Sequence, residues 1–319
     1  MPGIPHSTTL SAKELFSSAN SQTSEYAVTE RTAPLDEDKN ELGSKTTDRS
    51  RFQRVLKNCV RDEGINLGCS VLLVGGSYED ADILRKVGFR RMTLTNLQDL
   101  TTFEVPHMDG VELVALNADA EDMHIPDGSY DLVLAHEMLH HCSSPHKALL
   151  EMLRISRRHV IILEPNDSIF MRAFVKLRFS FPYELPAVVF HNFQAGGVRN
   201  TCVPNYIYRW GTWDLFQTTA SYIPASEFRL YVRQYWDFNV DKDELALRTQ
   251  TNIGSFTRLF GPRLFLACLH GFQSIANLLP WVGGQGNKFF GCIIKSDDLK
   301  PWLLRDSGRV IFNRNYGKH

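Results

Sequence analysis

The sequence predicts a doubly wound α/β fold built on a mostly parallel sheet. Two observations lead to this fold class. Short apolar runs alternate with amphipathic helical segments between residues 51 and 166, and the first run, VLLVGG, ends in two glycines. Strand, helix and strand in succession indicate parallel pairing through right-handed crossovers. A chain of 319 residues with 43% hydrophobic side chains can bury a large core of this kind.

The elements of the core follow one another in a regular order. The segment RFQRVLKNCVRDEG repeats apolar residues at helical spacing, which predicts a first helix. The strands are predicted in SVLLVGG, RRMTLTNL, VELVALNAD, SYDLVLAHE and HVIILEPN. Between them, DADILRKVGF predicts one helix, and SPHKALLEMLRISRR predicts another that begins with a Ser-Pro cap. Continuous apolar strands are typical of a sheet covered on both faces.

The chain divides into four predicted regions. Residues 1–48 are polar and predict an N-terminal arm, and residues 49–166 form the core described above. Residues 167–211 are aromatic, aperiodic and interrupted by Pro and Gly, which predicts a cap over the core. Residues 212–319 return to the core and contain a helical insertion at about 242–287 and a last strand, NKFFGCIIKS.

The composition argues against several classes of protein. The formal net charge of -1 gives no basic field for a nucleic-acid backbone, so we expect no nucleic-acid partner. Six cysteines without a CxxC pair indicate a reducing compartment rather than a disulfide framework. The sequence shows neither a basic and apolar leader nor a run of about twenty apolar residues. We therefore expect a cytoplasmic protein without a transmembrane segment.

The two glycines after the first strand indicate a ligand site. Ligands of open α/β sheets bind beyond the carboxyl ends of the strands, where the strand order reverses. Gly75 and Gly76 carry no Cβ, so a ligand can approach the backbone of this turn. The next helix points its first amides at the same place. The dinucleotide motif GxGxxG is absent, and a purely structural turn is the alternative.

A longer segment carries a family resemblance. From LNADAEDMHIPDGSYDLVLAHEMLHHCSSP to the EP that closes the fifth strand, the sequence resembles the class I S-adenosylmethionine-dependent methyltransferases. The resemblance covers residues 70–165 and continues more loosely to the end, where GGVRNTCVPNYIYRW is similar to a bacterial small-molecule and glycan subgroup. It implies a seven-stranded, Rossmann-like sheet whose last strand is antiparallel, a substrate cap, and S-adenosyl-L-methionine as the cofactor.

The resemblance also implies which residues bind the cofactor. Gly75 and Gly76 would lie under its methionine part, Asn96 near the ribose, and Asp119 with Ala120 at the adenine. The other residues assigned to this site are Ser77, Glu79, Leu97, Ala135 and His136.

The chain departs from the family pattern at the cofactor loop. Leu73 stands where the family has an acid, and Ser77 and Glu79 replace two glycines. Asn96 replaces the carboxylate that grips the ribose, which exchanges a charge-assisted hydrogen bond for a neutral one. We still expect binding, with Glu79 or Asp80 as the replacement acceptor. A degenerate, non-catalytic protein on the same fold is the alternative.

The segment HEMLH, residues 136–140, matches the HExxH motif of zinc hydrolases. That chemistry needs both histidines on one face of a sustained helix. Here YDLVLA before the motif predicts a strand and CSSP after it predicts a new helix cap, which leaves about one helical turn. We therefore predict no metal site and keep the zinc hydrolase only as an alternative.

Candidate catalytic and substrate residues come from the loops and the cap. A base that takes a proton from an acceptor hydroxyl is predicted among His140, His141 and His191, with His140 preferred and packing as the alternative. Aromatic side chains in the cap are interleaved with amides and guanidinium groups, a mixture that suits a sugar or another polyol. The candidate substrate residues are Glu164, Tyr183, Arg199, Asn200, Asn205, Tyr206, Arg209 and Trp210. The alternative is that the aromatics form the cap's own core.

The leading hypothesis is an S-adenosylmethionine-dependent methyltransferase that O-methylates a small molecule, either a sugar or glycan or a secondary metabolite. N- or C-methylation of a natural product is one alternative, and methylation of RNA or protein is another. The apolar segment RLFLACLHGFQSIANLLPWVGG predicts packed helices. A homodimer face, or an interfacial helix that meets a lipid-linked substrate, is the alternative for this segment.

Overall fold

The described residues form one central sheet flanked by helices, together with a separate two-stranded hairpin. The computed structural model describes residues 28–30, 48–97, 108–238, 252–296, 303–306 and 309–315. Most of the predicted arm, and residues 242–251 of the predicted insertion, lie outside these parts.

The central sheet has eight strands. In chain order they are β1 (Val28–Glu30), β2 (Ser70–Val74), β3 (Arg91–Asn96), β4 (Glu112–Asn117), β5 (Tyr130–His136), β6 (Ser156–Pro165), β7 (Phe228–Tyr235) and β8 (Lys288–Lys295). Their order across the sheet is β1-β7-β8-β6-β5-β2-β3-β4. Neighbouring strands are parallel except where β8 pairs with β6 and β7. The predicted doubly wound sheet with an antiparallel last strand is therefore confirmed.

The short strand β1 is a feature that the sequence analysis missed. It pairs in parallel with β7, with Val28 opposite Leu230. It has three residues and lies in a polar segment, so no apolar run marks it. β1 adds an edge to the seven predicted strands without changing their order.

Helices surround the sheet and form the cap. They are α1 (Asp48–Asp62), α2 (Tyr78–Val87), α3 (Pro145–Ile155), α4 (Ile169–Lys176), α5 (Leu185–Phe190), α6 (Thr212–Tyr222), α7 (Asn252–Phe260), α8 (Pro262–Leu278) and α9 (Pro280–Gly283). The hairpin consists of β9 (Leu303–Asp306) and β10 (Arg309–Phe312). The three helices α7 to α9 are the described part of the predicted insertion.

The central strands are buried on both faces, as their continuous apolar sequences predict. Along β2, Val71 and Leu73 pack into the cluster that contains Phe52 of α1 and Leu84 of α2. The alternate residues, Leu72 and Val74, belong to a second cluster on the opposite face, together with side chains of α3 and α6. This alternation follows from the two-residue period of a strand. The two clusters hold the strands rigidly and so fix where their carboxyl ends lie.

The strand order reverses between β2 and β5, which are adjacent in the middle of the sheet. From β2 the chain proceeds outward to β3, and from β5 it proceeds outward to β6 in the other direction. A crevice therefore opens beyond Val74 and His136, at the carboxyl ends of the two strands. Such a switch point is where open α/β sheets bind ligands.

The HEMLH segment does not form one helix. His136 is the last residue of β5, whereas His140 lies in a 3₁₀ turn of three residues, Leu139–His141. The side chain of Ser144 accepts a hydrogen bond from the amide of Lys147 and so begins α3 directly afterwards. The two histidines of the motif lie on different elements, as the sequence analysis expects, and the zinc-hydrolase geometry is absent.

The helices of the insertion are more exposed than packed helices would be. In α8 the buried side chains are Gln273 and Ala276, while Leu264 and Ile275 are exposed. Trp281 of α9 is exposed as well. The packing of α8 is therefore limited to a narrow face that carries Gln273 and Ala276. None of the helices among the described residues has the length and apolar character needed to span a membrane.

Candidate active site

A cavity of about 800 Å³ lies beyond the carboxyl ends of β2, β3 and β5. This volume is within the range of about 300–1,000 Å³ that is usual for small-molecule sites. The side chains and backbone that line it include Gly75, Gly76, Ser77, Asp80, Asn96, Leu97, Asp119, Ala120, Glu121, His136, Glu137, Met138, His141, Cys142, Glu184, His191, Arg199 and Asn200. We call it the large cavity. Nearly all of the residues that the sequence assigned to a cofactor are therefore brought together here.

The glycine turn at the end of β2 is shaped by the protein's own packing as well as by access to the cavity. Gly75 has φ of +61°, and a Cβ on it would lie 2.1 Å from Cγ of Met138. A Cβ on Gly76 would lie 2.4 Å from Cγ of Leu73. Larger residues would therefore displace the loop after β5 and the end of β2. The tight turn is required at this position even before a ligand is considered.

Asp80 fixes the corner of the cavity between α2 and β5. Its Oδ2 accepts hydrogen bonds of 2.9 Å from the amide and the hydroxyl of Ser77, which cap α2. Its Oδ1 lies 2.7 Å from Nδ1 of His136, whose ring stacks on Phe52 with centroids 4.2 Å apart. Burial would raise the pKa of Asp80, but the contacts with His136 and Ser77 outweigh burial and hold it below its usual value. Asp80 is therefore a carboxylate that anchors His136.

Asp119 and Glu121 share one arginine from the cap. Nη2 of Arg199 lies 2.6 Å from Oδ2 of Asp119, and its Nη1 lies 3.0 Å from Oε2 of Glu121. Burial would raise the pKa of Asp119, but the amide of Glu121 and the Arg199 guanidinium lower it. Arg199 reaches this position from a left-handed backbone with φ of 50° and ψ of 37°. The sequence assigned Arg199 to the substrate, whereas the structure places it on the acid assigned to the adenine.

Glu164 binds the backbone of the loop after β5. It is fully buried at the end of β6, and its Oε1 accepts hydrogen bonds from the amides of Met138 (2.9 Å) and Leu139 (2.8 Å). Its Oε2 lies 2.6 Å from Nδ1 of His140. Glu164 therefore holds His140 in place and does not line either of the two cavities described here.

His140, His141 and Glu184 meet at the edge of the large cavity. Nε2 of His140 lies 3.3 Å from Oε2 of Glu184, and Nε2 of His141 lies 3.2 Å from the same oxygen. Asn205 donates a third contact to it through Nδ2, at 3.1 Å. Burial opposes the charge of each group. Glu164 and Glu184 nevertheless raise the pKa of His140 to about 10, and His140 and His141 hold that of Glu184 at about 2.

His141 differs from its neighbour in its electrostatic setting. Burial lowers its pKa, and the charge of His140 lowers it further, more than Glu184 and Glu164 raise it. His141 lines the large cavity with 28% of its side chain exposed. His140, the base preferred from the sequence, is buried between the carboxylates of Glu164 and Glu184, and its role as a base stays a prediction.

A second cavity of about 430 Å³ adjoins the first under the cap. We call it the small cavity. Glu137 and Glu184 line both cavities, and Glu137 pairs with Lys288 at the start of β8. Its lining includes Glu137, His140, Met171, Phe181, Tyr183, Glu184, Phe190, Arg209, Asp237, Asn287 and Lys288. Glu137 has φ of 49°, a strained backbone that non-glycine residues rarely adopt outside functional loops.

Besides Glu164 and Asn205, four residues assigned from the sequence line neither cavity. Ala135 is buried in the core, since alternate residues of a strand face opposite ways and His136 takes the exposed end. Glu79 lines a separate shallow pocket beside α1. Trp210 is buried against Tyr208 and His146, and the half-exposed Tyr206 packs edge-on against Tyr183. These residues shape the core or the cap instead of the cavities.

The remaining assignments take different places in the site. Asn205 is fully buried and orients Glu184, while Tyr183 and Arg209 line the small cavity. His191 lines the large cavity, and its Nδ1 lies 2.7 Å from the carbonyl oxygen of Ala187 in its own helix. The lining residues that the sequence analysis missed include four charged ones, Glu121, Glu137, Glu184 and Lys288. Glu184 and Lys288 carry no local signal, because they join the site only through contacts with distant segments, whereas Glu121 and Glu137 directly follow the assigned residues Ala120 and His136.

The chain can now be compared with known proteins. Residues 92–163, which run from β3 to β6, match the model of a family described as "Methyltransferase domain". The matched segment, 72 of the 319 residues, is similar to a methyltransferase domain. The cofactor that this similarity implies is S-adenosylmethionine. Among curated proteins, no sequence matches the chain.

Solved structures with related folds share little sequence with this methyltransferase. Magnesium protoporphyrin IX methyltransferase (ChlM) from Synechocystis, solved with bound SAH, is 10% identical over 80% of this chain and 91% of its own, with a TM-score of 0.43. The YcgJ protein from Bacillus subtilis is 11% identical over 78% and 100%, with a TM-score of 0.45. A SAM-dependent methyltransferase from Methanosarcina mazei is 9% identical over 74% and 96%, with a TM-score of 0.42. Similarity at this level says nothing about the acceptor.

The large cavity suits the charge of the methyltransferase cofactor. Five carboxylates line it: Asp80, Asp119, Glu121, Glu137 and Glu184. Among the described residues of its lining, Arg199 is the only Lys or Arg side chain. The sulfonium and ammonium groups of S-adenosylmethionine are cationic, and its adenine and ribose offer donors to carboxylate acceptors. The carboxylates of the lining and the volume of the cavity therefore fit this cofactor. Asp119 would have to bind both Arg199 and the cofactor.

Proposed function

We propose that this methyltransferase transfers a methyl group to a hydroxyl of a small polar molecule, with the sugars, glycans and hydroxylated secondary metabolites as the substrate class. The observation that carries the proposal is the pair of adjoining cavities that share Glu137 and Glu184. A donor in the large cavity and an acceptor in the small cavity would meet at that shared wall. We further propose a cytoplasmic location, supported by six free cysteines.

The proposed cofactor residues line the large cavity. Asp119 would accept from the exocyclic amine of adenine, and Asn96 would face the ribose. The turn at Gly75 and Gly76 would lie against the methionine part. S-adenosylmethionine supplies an activated methyl group when bound, so the chain has only to align the acceptor and manage its proton.

The small cavity has the chemical character of a polyol site. Phe181 and Phe190 offer apolar faces, while Tyr183 and Lys288 offer polar groups. Arg209 stabilises the wall, because its guanidinium donates to the carbonyl oxygens of Ile207 (3.1 Å) and Phe181 (3.0 Å). Aromatic faces combined with a few fixed polar groups favour a sugar-like ring over a fully apolar acceptor.

Two finer features of the acceptor stay predictions. The exposed apolar side chains of α8 and α9, such as Ile275 and Trp281, support a lipid-linked acceptor that is met at a membrane surface. The same face supports a homodimer. The near-neutral net charge favours neither RNA nor DNA as the substrate.

The first test of the proposed function is cofactor binding. Isothermal titration with S-adenosylhomocysteine should give saturable heat with one site per chain, and the melting temperature should rise with the ligand concentration. Transfer of a labelled methyl group to a panel of sugars and hydroxylated metabolites then tests the acceptor. Transfer to amines alone would replace the oxygen by nitrogen as the acceptor atom and overturn the O-methylation proposal.

A non-catalytic protein on the same fold is the competing function, and one observation favours it. Arg199 occupies the carboxylate of Asp119, the residue assigned to adenine. If the cap is permanently closed in this way, the methyl donor has no access. Absence of both heat and a thermal shift at millimolar S-adenosylhomocysteine would assign this second function.

A further inference from the structure

Three ligand atoms converge in the wall between the two cavities. Nε2 of His140 and Nε2 of His141 both approach Oε2 of Glu184, at 3.3 and 3.2 Å. The three side chains each bring a potential metal-ligand atom to within 4.8 Å of the others. Among the residues that the structure describes, no other three His, Cys, Asp or Glu side chains converge in this way.

The separations of the two histidine nitrogens from Glu184 match a metal site better than charge-assisted hydrogen bonds. Metal bonds of about 2.0–2.2 Å from His and Glu place tetrahedral ligands about 3.3–3.5 Å apart. The two contacts of Glu184 are close to that spacing. Charge-assisted hydrogen bonds between nitrogen and oxygen are shorter, about 2.7–2.9 Å. The contact between His140 and Glu164, at 2.6 Å, is of this tighter kind.

A second layer of hydrogen bonds orients the ligands. Nδ1 of His140 donates to Glu164, which turns Nε2 toward Glu184, and an ion bound there would displace the Nε2 proton. Glu164 is itself fixed by two backbone amides. Asn205 donates to Glu184 at 3.1 Å and fixes that carboxylate. Histidine ligands of metals usually donate their other ring nitrogen to a carboxylate in this way.

The cluster is sheltered but accessible. The side chain of His140 is 5% exposed, while those of His141 and Glu184 are 28% and 30% exposed. His141 and Glu184 line the large cavity, and His140 and Glu184 line the small cavity. An ion held by the three would therefore keep open coordination positions that face the ligand space.

We propose that His140, His141 and Glu184 bind a divalent transition-metal cation in the wall shared by the two cavities. Two imidazoles and one carboxylate suit Zn²⁺, Co²⁺ and Fe²⁺, whereas Mg²⁺ and Ca²⁺ prefer sites made of oxygen alone. This site departs from the sequence-based prediction of no metal. It also differs from the HExxH site, because His136 is bound to Asp80 and takes no part in it.

The metal site extends the proposed function, and its catalytic role rests on that function. The open positions of the ion face the place where an acceptor hydroxyl would meet the donor. A divalent cation lowers the pKa of an oxygen that it binds, so the acceptor hydroxyl would release its proton to bulk solvent without a free histidine base.

The experiment is a metal titration of the full chain after removal of metals with a chelator. Co²⁺ is the probe, because ligation by imidazole and carboxylate gives visible absorption bands that free aqueous Co²⁺ lacks at that strength. We expect one Co²⁺ per chain, displaced by Zn²⁺ and unaffected by an excess of Mg²⁺. Mass spectrometry of the eluted metal gives an independent count of bound ions.

Three variants make the test specific. Glu184→Gln keeps the size and the contact with Asn205, and His141→Ala removes one ligand, so both should lose stoichiometric Co²⁺ binding and its absorption bands. His124→Ala removes an exposed histidine outside both cavities and should bind Co²⁺ as the parent does. Circular dichroism shows which variants are folded, and the isosteric Glu184→Gln decides the matter if His141→Ala is not.

The outcomes separate the metal site from the proposed function. Absence of Co²⁺ binding in the parent, or unchanged binding in folded Glu184→Gln, would overturn the metal proposal even if S-adenosylhomocysteine binds. Stoichiometric Co²⁺ binding without any binding of S-adenosylhomocysteine would establish the metal site and overturn the methyltransferase role of this pocket.

Discussion

Two histidine–carboxylate pairs flank the loop after β5, and they are built differently. In the first pair, Asp80 lies 2.7 Å from His136, and the histidine ring is stacked on Phe52. In the second pair, Glu164 lies 2.6 Å from His140, whose other nitrogen faces Glu184. The first pair is packed against the core and keeps the shape of the large cavity. In the second pair, the other ring nitrogen of His140 faces the carboxylate of Glu184. This arrangement leaves two polar groups facing each other, as a bound ion or proton requires.

The difference shows that hydrogen bonding of a histidine does not by itself indicate its role. Both histidines lie next to the predicted ligand site in the sequence, and both contact a buried acid. What separates them is the environment of the rest of the ring. An aromatic neighbour stabilises a position, whereas a second polar group creates a place for a proton or an ion.

The largest expected effect is on stability, and it compares the two acids directly. Glu164→Ala should lower the free energy of unfolding by about 3–5 kcal/mol, because it leaves the buried His140 and two backbone amides without their acceptor. Asp80→Ala should cost about 2 kcal/mol, the loss of a helix cap and one histidine contact. Urea unfolding followed by circular dichroism measures both. A larger loss for Asp80→Ala would reverse our ranking of the pairs.

The next largest effect is on cofactor binding in the large cavity. Asp119→Asn should weaken binding of S-adenosylhomocysteine by about 10–100-fold, because a carboxylate acceptor becomes a neutral amide. Asp122→Asn, at an exposed position nearby, should leave the affinity unchanged. Calorimetric titration of the two variants checks this. Equal affinities in both would mean that Asp119 serves only to hold Arg199.

The fold was largely predictable, and the donor side of the site partly so. The strands from β2 to β6 are consecutive in sequence and bring Gly75 and Asp119 to one edge by strand order alone. Strand order does not predict the contacts of the residues between the cavities or in the cap. Glu137 meets Lys288 across 151 positions, and Asp119 meets Arg199 across 80. Those partners come from an aperiodic cap and a distant strand, where neither hydrophobic period nor motif spacing carries information.

The strand ends show the same limit on a smaller scale. The sequence placed Ala135 and His136 together beside the donor, yet only His136 lines the cavity, since successive residues of β5 face opposite ways. Similarly, the sequence offered Glu79 or Asp80 as the acceptor, and of these two Asp80 lines the large cavity whereas Glu79 does not. A shift of one position along a strand, or at the start of a helix, therefore decides whether a side chain lines the cavity.

A smaller effect on stability is expected from His159, which lies near the start of β6, whereas Glu164 lies at the end of β6 next to the site. His159 therefore serves as a reference for Glu164. Burial, followed by the charges of Arg158 and Arg229, lowers the pKa of His159 to about 4 from 6.5. The folded state therefore prefers the neutral ring. The stability is complete above pH 6.5 and is lost as the pH falls from 6.5 through about 4.

The measurement is thermal unfolding of the parent and of His159→Gln, whose side chain does not titrate. Between about pH 7 and about pH 4.5 the parent should lose about 1–2 kcal/mol more than the variant does. The exposed His124→Gln serves as the control and should follow the parent. Identical pH dependence in His159→Gln and the parent would show that this ring is not what the acid destabilises.

The smallest expected effect tests whether the cap restrains the donor side. Arg199 is 42% exposed, so its ion pair with Asp119 is screened by solvent and is worth about 0.2–1 kcal/mol. Arg199→Ala frees Asp119 for the cofactor and should therefore tighten binding of S-adenosylhomocysteine by about two- to fivefold. Arg172→Ala removes an exposed pair with Asp167 far from Asp119 and should change nothing. Weaker binding in Arg199→Ala would instead make this arginine a ligand of the cofactor, and the donor side would then depend on the cap as much as the acceptor side does.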